Sequence, residues 1–185
     1  MAEIRCFIAV DISKNTNIEK LLKEIEKSGA IVKLVELKNI HITLRFLGDI
    51  NENIVYKIED ILKNALINIK PFKIELDGVG VFPNINYIKI IWIGIKKTEI
   101  LEEIFNRINK EINLIVPDNK MQKFKPHITI GRVKSAKNKE KILNIIKKYE
   151  NKKFSEILIK TIKLKKSELT SKGPIYSDLI KINLK

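Results

Sequence analysis

His127-Ile128-Thr129-Ile130 repeats His41-Ile42-Thr43-Leu44 about 86 residues further along the chain, and the flanking sequence repeats with it. Ahead of the first copy, Phe7-Ile8-Ala9-Val10-Asp11-Ile12 reads as a short buried strand, and ahead of the second so does Ile90-Ile91-Trp92-Ile93-Gly94-Ile95. Between strand and motif each half carries a helical pattern: Ile18, Leu21, Leu22 and Ile25 in one, Ile100, Leu101, Ile104, Phe105 and Ile108 in the other. A second helix follows each motif, marked by Ile54, Ile58, Ile61 and Leu62 and then by Ile142, Leu143, Ile145 and Ile146. Each half closes on a β-rich segment, Phe72–Leu76 and Ile157–Ile162.

The unit strand–helix–strand–helix–strand therefore occurs twice, with the His-bearing strand in the same slot. Duplicated units commonly pack about a pseudo-two-fold axis, so a residue repeated at one slot can face its copy across a groove. The expected organisation is two pseudo-symmetric lobes around one cleft. It forms a single bilobal domain over residues 1–185, with pseudo-repeats at approximately 4–86 and 87–185.

The chain contains two His, and both begin the tripeptide His-Ile-Thr; Thr is scarce too, with six in all. One such tripeptide in a strand would be read as a half-buried His bonded to backbone. Recurrence at equivalent slots, using every His available, points to function. In a strand, residues i and i+2 share a face, so His41 and Thr43 project together, as do His127 and Thr129, while Ile42, Leu44, Ile128 and Ile130 turn to the core. Imidazole titrates near pH 6.5, so a neutral and a protonated ring can coexist around one anionic group. One draws a proton from water or a ribose hydroxyl; the other protonates the leaving oxygen. The Thr hydroxyls donate to non-bridging phosphate oxygens. Such chemistry calls for no metal or other cofactor.

Arg132 and Phe46 occupy matching slots, each five residues after its His. Arg132 can hold the phosphate, and Phe46 can stack a nucleobase or serve the core. Strict alternation puts both, with Arg45, on the face away from the His; a bulge at Gly131 would re-aim Arg132. Asp11 and Glu36 are candidates to orient a His, as are backbone carbonyls. Trp92, in an apolar run, reads as core, and Ser167 to Tyr176 as a turn joining two strands.

Of 185 residues, 36 are Lys or Arg against 22 Asp or Glu, a formal net charge of +14. The excess favours a polyanion, although Lys-, Glu- and Ile-rich composition also follows from AT-rich or heat-adapted genomes. The N-terminal run lacks the apolar core of a signal peptide, and no stretch approaches the ~20 apolar residues of a membrane span. Cys6 stands alone, without a disulfide partner, and reads as a small buried hydrophobe. These features lead us to expect a cytoplasmic protein without membrane attachment.

On these residues the sequence resembles the 2H phosphoesterase superfamily, and within it the RNA 2′,3′-cyclic phosphodiesterases also called 2′-5′ RNA ligases. Phe7–Val10, His41–Gly48, Val81-Phe82-Pro83, Ile91–Gly94, Phe124–Arg132 and the Ser167–Tyr176 segment carry the resemblance in order along nearly the whole chain. It departs at Leu34, in a segment where relatives often carry Trp. The resemblance implies a two-lobed α+β fold with antiparallel sheets lining the cleft, no metal cofactor, and opening of a terminal 2′,3′-cyclic phosphate to a 2′-phosphate. It implies His41 and His127 as acid and base, Thr43 and Thr129 as phosphate donors, and Arg132 as a further contact. It also implies an activity joining RNA ends through a 2′-5′ linkage. The partner is an RNA with a cyclic phosphate end, tRNA fragments being one candidate, and a chain containing its own two-fold is expected to be monomeric. The alternatives are another 2H branch, acting on 2′-5′ oligonucleotides or an ADP-ribose cyclic phosphate, and a non-catalytic basic RNA-binding module.

Overall fold

The computed structural model describes residues 2–12, 15–117, 124–171 and 173–185. The first half runs β1 (Glu3–Asp11), α1 (Thr16–Lys27), β2 (Val32–Leu34), β3 (His41–Asn51), α2 (Val55–Ala65) and β4 (Phe72–Asn84). The second runs β5 (Tyr87–Lys96), α3 (Glu99–Ile115), β6 (His127–Val133), α4 (Lys139–Tyr149), β7 (Lys153–Ile159), β8 (Thr161–Thr170) and β9 (Gly173–Asn183). The duplicated order read from sequence is present, and the helical stripes are buried: Ile18, Leu21, Leu22 and Ile25 in α1, Leu101, Ile104, Phe105 and Ile108 in α3. Asn15 caps α1, its side chain accepting from the N–H groups of Asn17 and Ile18. The segment Ile157–Ile162 divides at Lys160 into β7 and β8, and the short β2 is an addition to the pattern.

The strands form one antiparallel sheet in the order β7-β4-β5-β6-β3-β1-β8-β9, with β2 pairing β6 from the side. The pseudo-two-fold lies between β3 and β6, the two His-bearing strands. On either side of it stand the first strands of the repeats, β1 beside β3 and β5 beside β6. Beyond them the halves exchange strands: β4 of the first half pairs β5 of the second, and β8 of the second pairs β1 of the first. The lobes of the cleft are thus each built from both halves. The helices cross over likewise, α1 against α4 and α2 against α3. Tyr149 on α4 donates to Glu24 on α1 at 2.7 Å, and Arg107 on α3 donates to the carbonyls of Ala65 and Ile67 at the end of α2. Neither half can bury its apolar surface alone.

The four described α-helices cover one face of the sheet, where Ile8, Ile42, Leu44, Ile74, Leu76, Ile91, Ile93, Ile128, Ile130 and Leu164 join the helix stripes in one core. Cys6 belongs to it, and burial pushes its thiol up to about 11, which leaves it unreactive at neutral pH. The opposite face of the sheet is the cleft. None of the described helices is long and apolar enough to cross a membrane.

Candidate active site

β3 and β6 meet at the pair Ile42 and Ile128, both fully buried on the core face. One step either way along this antiparallel pair sets His41 across from Thr129, and Thr43 across from His127, on the cleft face. The four residues of the two motifs are therefore brought together, each His beside the other copy's Thr. The flanking strands continue the arrangement: Asp11 and Ala9 pair with His41 and Thr43, and Gly94 and Trp92 pair with His127 and Thr129.

Both imidazoles are held by the same device. Nδ1 of His41 lies 2.7 Å from the carbonyl of Asn39, and Nδ1 of His127 lies 2.7 Å from that of Lys125, in each case two residues earlier. A carbonyl only accepts, so Nδ1 carries the hydrogen in both rings and Nε2 is left for chemistry. Of the orienting groups considered from sequence, the backbone carbonyls hold Nδ1. Asp11 instead pairs with Lys163 at 2.7 Å and Lys165 at 3.0 Å, and Glu36 with Lys38 at 2.8 Å.

The surroundings break the symmetry of the two rings. His41 closes a three-ring cluster with Phe7, ring centroids 4.9 Å apart, and Tyr176, which meets it edge to face at 5.4 Å, and Phe7 and Tyr176 touch each other at 5.0 Å. His127 meets the edge of Phe82 at 5.1 Å, and Phe82 in turn rests against Trp92 at 5.2 Å. Burial lowers the His41 imidazole from its ordinary value. The Asn39 carbonyl and Asp11 oppose that shift, while Lys165 and His127 add to it. Lys163 and Lys165 of β8 form a four-membered charge cluster with Asp11 and Asp178. Asp178 lies below the ordinary carboxyl range: its burial works upward, and hydrogen bonds from the two lysines outweigh it.

Strict alternation fails in both motif strands, at the same slot. Arg45 pairs with Ile8 but Thr43 with Ala9, so Leu44 is an extra residue in β3. Gly131 pairs with Ile91 but Thr129 with Trp92, so Ile130 is an extra residue in β6. Each bulge falls three residues after its His. Consecutive residues then face the core, Leu44 with Arg45 and Ile130 with Gly131, all buried. Phe46 and Arg132 consequently turn to the cleft side, the reverse of what uninterrupted alternation requires. Phe46 is 58% exposed and lies 6.1 Å from the Phe7 ring. Burial raises the Tyr176 phenol from its ordinary value, and the charge of Arg132 opposes that shift. Arg45 goes the other way: it is 1% exposed and donates to Asn113 of α3 at 2.8 Å.

Trp92 is also corrected. It stands on the cleft face, between the fully buried Ile91 and Ile93, with its ring over Gly80, where a Cβ would come within 2.2 Å. Sequence reasoning passed over Tyr176, Phe7 and the Lys163–Lys165–Asp11–Asp178 cluster. Ser167 to Tyr176 does join two strands, but Tyr176 lies opposite Ser167 in β9 and reaches His41. A signal was present in Lys163 and Lys165 alternating with Ile162 and Leu164: two lysines on one strand face, opposite Asp178 in the next strand. Leu34 pairs with Gly131 beside Arg132. Among the described residues no cluster of three or more His, Cys, Asp or Glu is arranged to hold a metal.

A family model described as LigT like phosphoesterase matches the chain twice, over residues 10–92 and 95–176. An RNA 2′,3′-cyclic phosphodiesterase of Methanocaldococcus jannaschii is 42% identical over 175 residues, covering 94% of this chain and 96% of its own. The one of Methanothermobacter thermautotrophicus is 32% identical over 179 residues, 96% and 97% of the two chains. Among solved structures, a protein of Thermus thermophilus superposes with a TM-score of 0.79 at 22% identity over 98% of both chains. LigT of E. coli complexed with 3′-AMP gives 0.69 at 19% identity, over 100% of this chain and 99% of that one.

Proposed function

The chain belongs to the LigT-like phosphoesterase family, and from that premise we propose that it opens RNA 2′,3′-cyclic phosphates to 2′-phosphates by two-histidine acid–base catalysis. The observation that carries the mechanism is the matched pair of Nδ1–carbonyl contacts, which leave two Nε2 atoms for proton transfer on adjacent cleft strands. Its relatives' activity supports the substrate class.

We assign the base to His41, because its burial favours the neutral ring, and the acid to His127. Nε2 of His41 takes a proton from water as the water oxygen bonds to phosphorus. The P–O3′ bond breaks, and Nε2–H of His127 protonates the departing O3′, leaving a 2′-phosphate and a 3′-hydroxyl. Thr43 and Thr129 donate to the non-bridging oxygens, where charge builds, and Arg132 adds a cation there. Phe46, exposed beside Phe7, is the surface on which the terminal base stacks. With the 5′-hydroxyl of a second RNA in place of water, the same proton transfers join two ends through a 2′-5′ linkage. The site is contained within one chain, so a monomer suffices, and we place the enzyme in the cytoplasm.

The test is incubation with an RNA oligonucleotide ending in a 2′,3′-cyclic phosphate, in EDTA, beside His41→Ala and His127→Ala. Wild-type opening to the 2′-phosphate, lost in both variants, is expected. Turnover that disappears in EDTA and returns with a divalent metal would overturn the mechanism. RNA binding without turnover, unchanged in both variants, would favour a non-catalytic binding module.

A further inference from the structure

The catalytic pair needs only a terminal phosphate, yet a second feature lies beyond Arg132, where β6 ends at Val133. There the start of β5, the end of β6 and the start of α4 enclose a cavity of about 190 Å³. That is below the ~300–1,000 Å³ of a drug-sized ligand pocket and suits one flat ring rather than a whole nucleotide. Its floor is apolar, with Ile88 and Val133, and its rim carries Lys89, Lys134, Lys137 and Lys139. Among the described residues no carboxylate lines it. Tyr87 stands at the edge, 61% exposed, with the Lys89 ammonium 5.0 Å from its ring centroid.

Some lysines elsewhere in this protein are neutralised: Lys96 by Asp77, Lys97 by Glu75 and Glu156, Lys148 by Glu24. Those on this rim are not. Lys139 donates to the carbonyl of Asn86 at 2.7 Å and so ties the β4–β5 turn to α4, while Lys89, Lys134 and Lys137 have no ion-pair partner among the described residues. Uncompensated cations around an apolar floor, next to an exposed aromatic ring, match a phosphodiester backbone carrying unstacked bases. The cavity lies past the ends of β5 and β6 on the side where α4 packs, so an RNA leaving the cleft reaches it around the strand ends. From His127 to Lys134 the chain advances seven residues, one of them taken up by the bulge at Ile130, or about 20 Å at ~3.3 Å per extended residue. This is too far for the reacting nucleotide and within reach of nucleotides a few positions upstream.

We propose that this cavity is a second RNA subsite, which holds single-stranded RNA upstream of the cyclic phosphate, Tyr87 stacking a base and Lys89, Lys134 and Lys137 contacting the backbone. The subsite rests on the proposed RNA reaction, and it makes the enzyme selective for RNA ends over cyclic mononucleotides.

The test measures the equilibrium binding of a fluorescent eight-nucleotide RNA bearing a 3′-phosphate, which needs no turnover, at several salt concentrations. Lys134→Ala/Lys137→Ala is expected to weaken binding about tenfold and to reduce the log–log salt slope by about 0.7 for each lost contact. Tyr87→Ala is expected to cost about fivefold or more. Opening of 2′,3′-cyclic AMP by the same variants is expected to match wild type. Unchanged RNA affinity in the lysine variant, or a Tyr87→Ala protein that binds like wild type, would overturn the subsite. So would an equal loss with the cyclic mononucleotide. If wild type binds the RNA but opens neither substrate, the reaction assignment fails while the binding comparison remains decisive.

Discussion

His41 and Tyr176 meet edge to face, ring centroids 5.4 Å apart and planes at 89°, although they stand 135 positions apart in the chain. Together with Phe7, which touches both rings, Tyr176 leaves the imidazole little room to swing. A misplacement of about 1 Å can cost about 100-fold in rate. Tyr176→Phe, which keeps the edge, is expected to turn over near the wild-type rate, and Tyr176→Ala to lose about 10- to 100-fold in kcat. Single-turnover kinetics on a cyclic-phosphate RNA, with circular dichroism as the folding control, distinguish the two. Equal loss in both variants would mean that the hydroxyl, not the packing, matters.

The lowered His41 imidazole fixes the acid side of the pH profile. As the base it must be neutral, so kcat is expected to persist below the ordinary imidazole value of ~6.5 and to fall only at lower pH. Stability follows the same group. As the pH falls from ~6.5 toward the lower folded value, the unfolded state takes up a proton that the folded state refuses, so stability present above that window is lost across it. Lys165→Met removes one of the causes of lowering and leaves Asp11 and Asp178 facing Lys163 alone. Its acid limb is expected to move to higher pH, as read by imidazole NMR titration beside the rate profile.

Thr43→Val and Thr129→Val keep shape and remove one donor each. Loss of one donor to developing charge typically costs about 10²- to 10³-fold in kcat. A fall of that order with little change in KM is expected from steady-state kinetics on each variant. A rise in KM with kcat preserved would instead make the hydroxyls ground-state binders.

Gly80→Ala tests the wall behind His127. The added Cβ would meet the Trp92 ring at 2.2, 2.4 and 2.7 Å, with rigid aromatic atoms that cannot yield individually. Trp92 must shift, and through Phe82 the shift reaches His127. Overpacking of this kind costs about 1–3 kcal/mol. Thermal denaturation is expected to show that loss together with reduced kcat, and a variant of unchanged Tm would show that the ring relocates freely.

Much of the molecule is legible in its sequence because the relevant physics is local or periodic. A stripe such as Ile18, Leu21, Leu22 and Ile25 has one way to be buried, so α1 and its inward face follow from spacing. The repetition of His-x-Thr in equivalent slots identifies the pair of strands that must meet, and β3 and β6 do meet, at Ile42 and Ile128. What escaped was whatever depended on pairing between distant strands. The extra residues Leu44 and Ile130 are defined only by the register against β1 and β5; Gly131 hints at the bulge in β6, but nothing in the letters of β3 distinguishes its bulge from continued alternation. Each reverses the facing of the residues that directly follow it, until a second shift at Leu47 in β3, and so decides that Phe46 and Arg132 look into the cleft while Arg45 is buried. The difference between the two histidines has the same origin. Their local motifs and their Nδ1 carbonyl contacts are alike. Tyr176 and the Lys165–Asp11 pair arrive beside His41 from strands far away in sequence, and burial and charge in three dimensions then set one imidazole apart from the other.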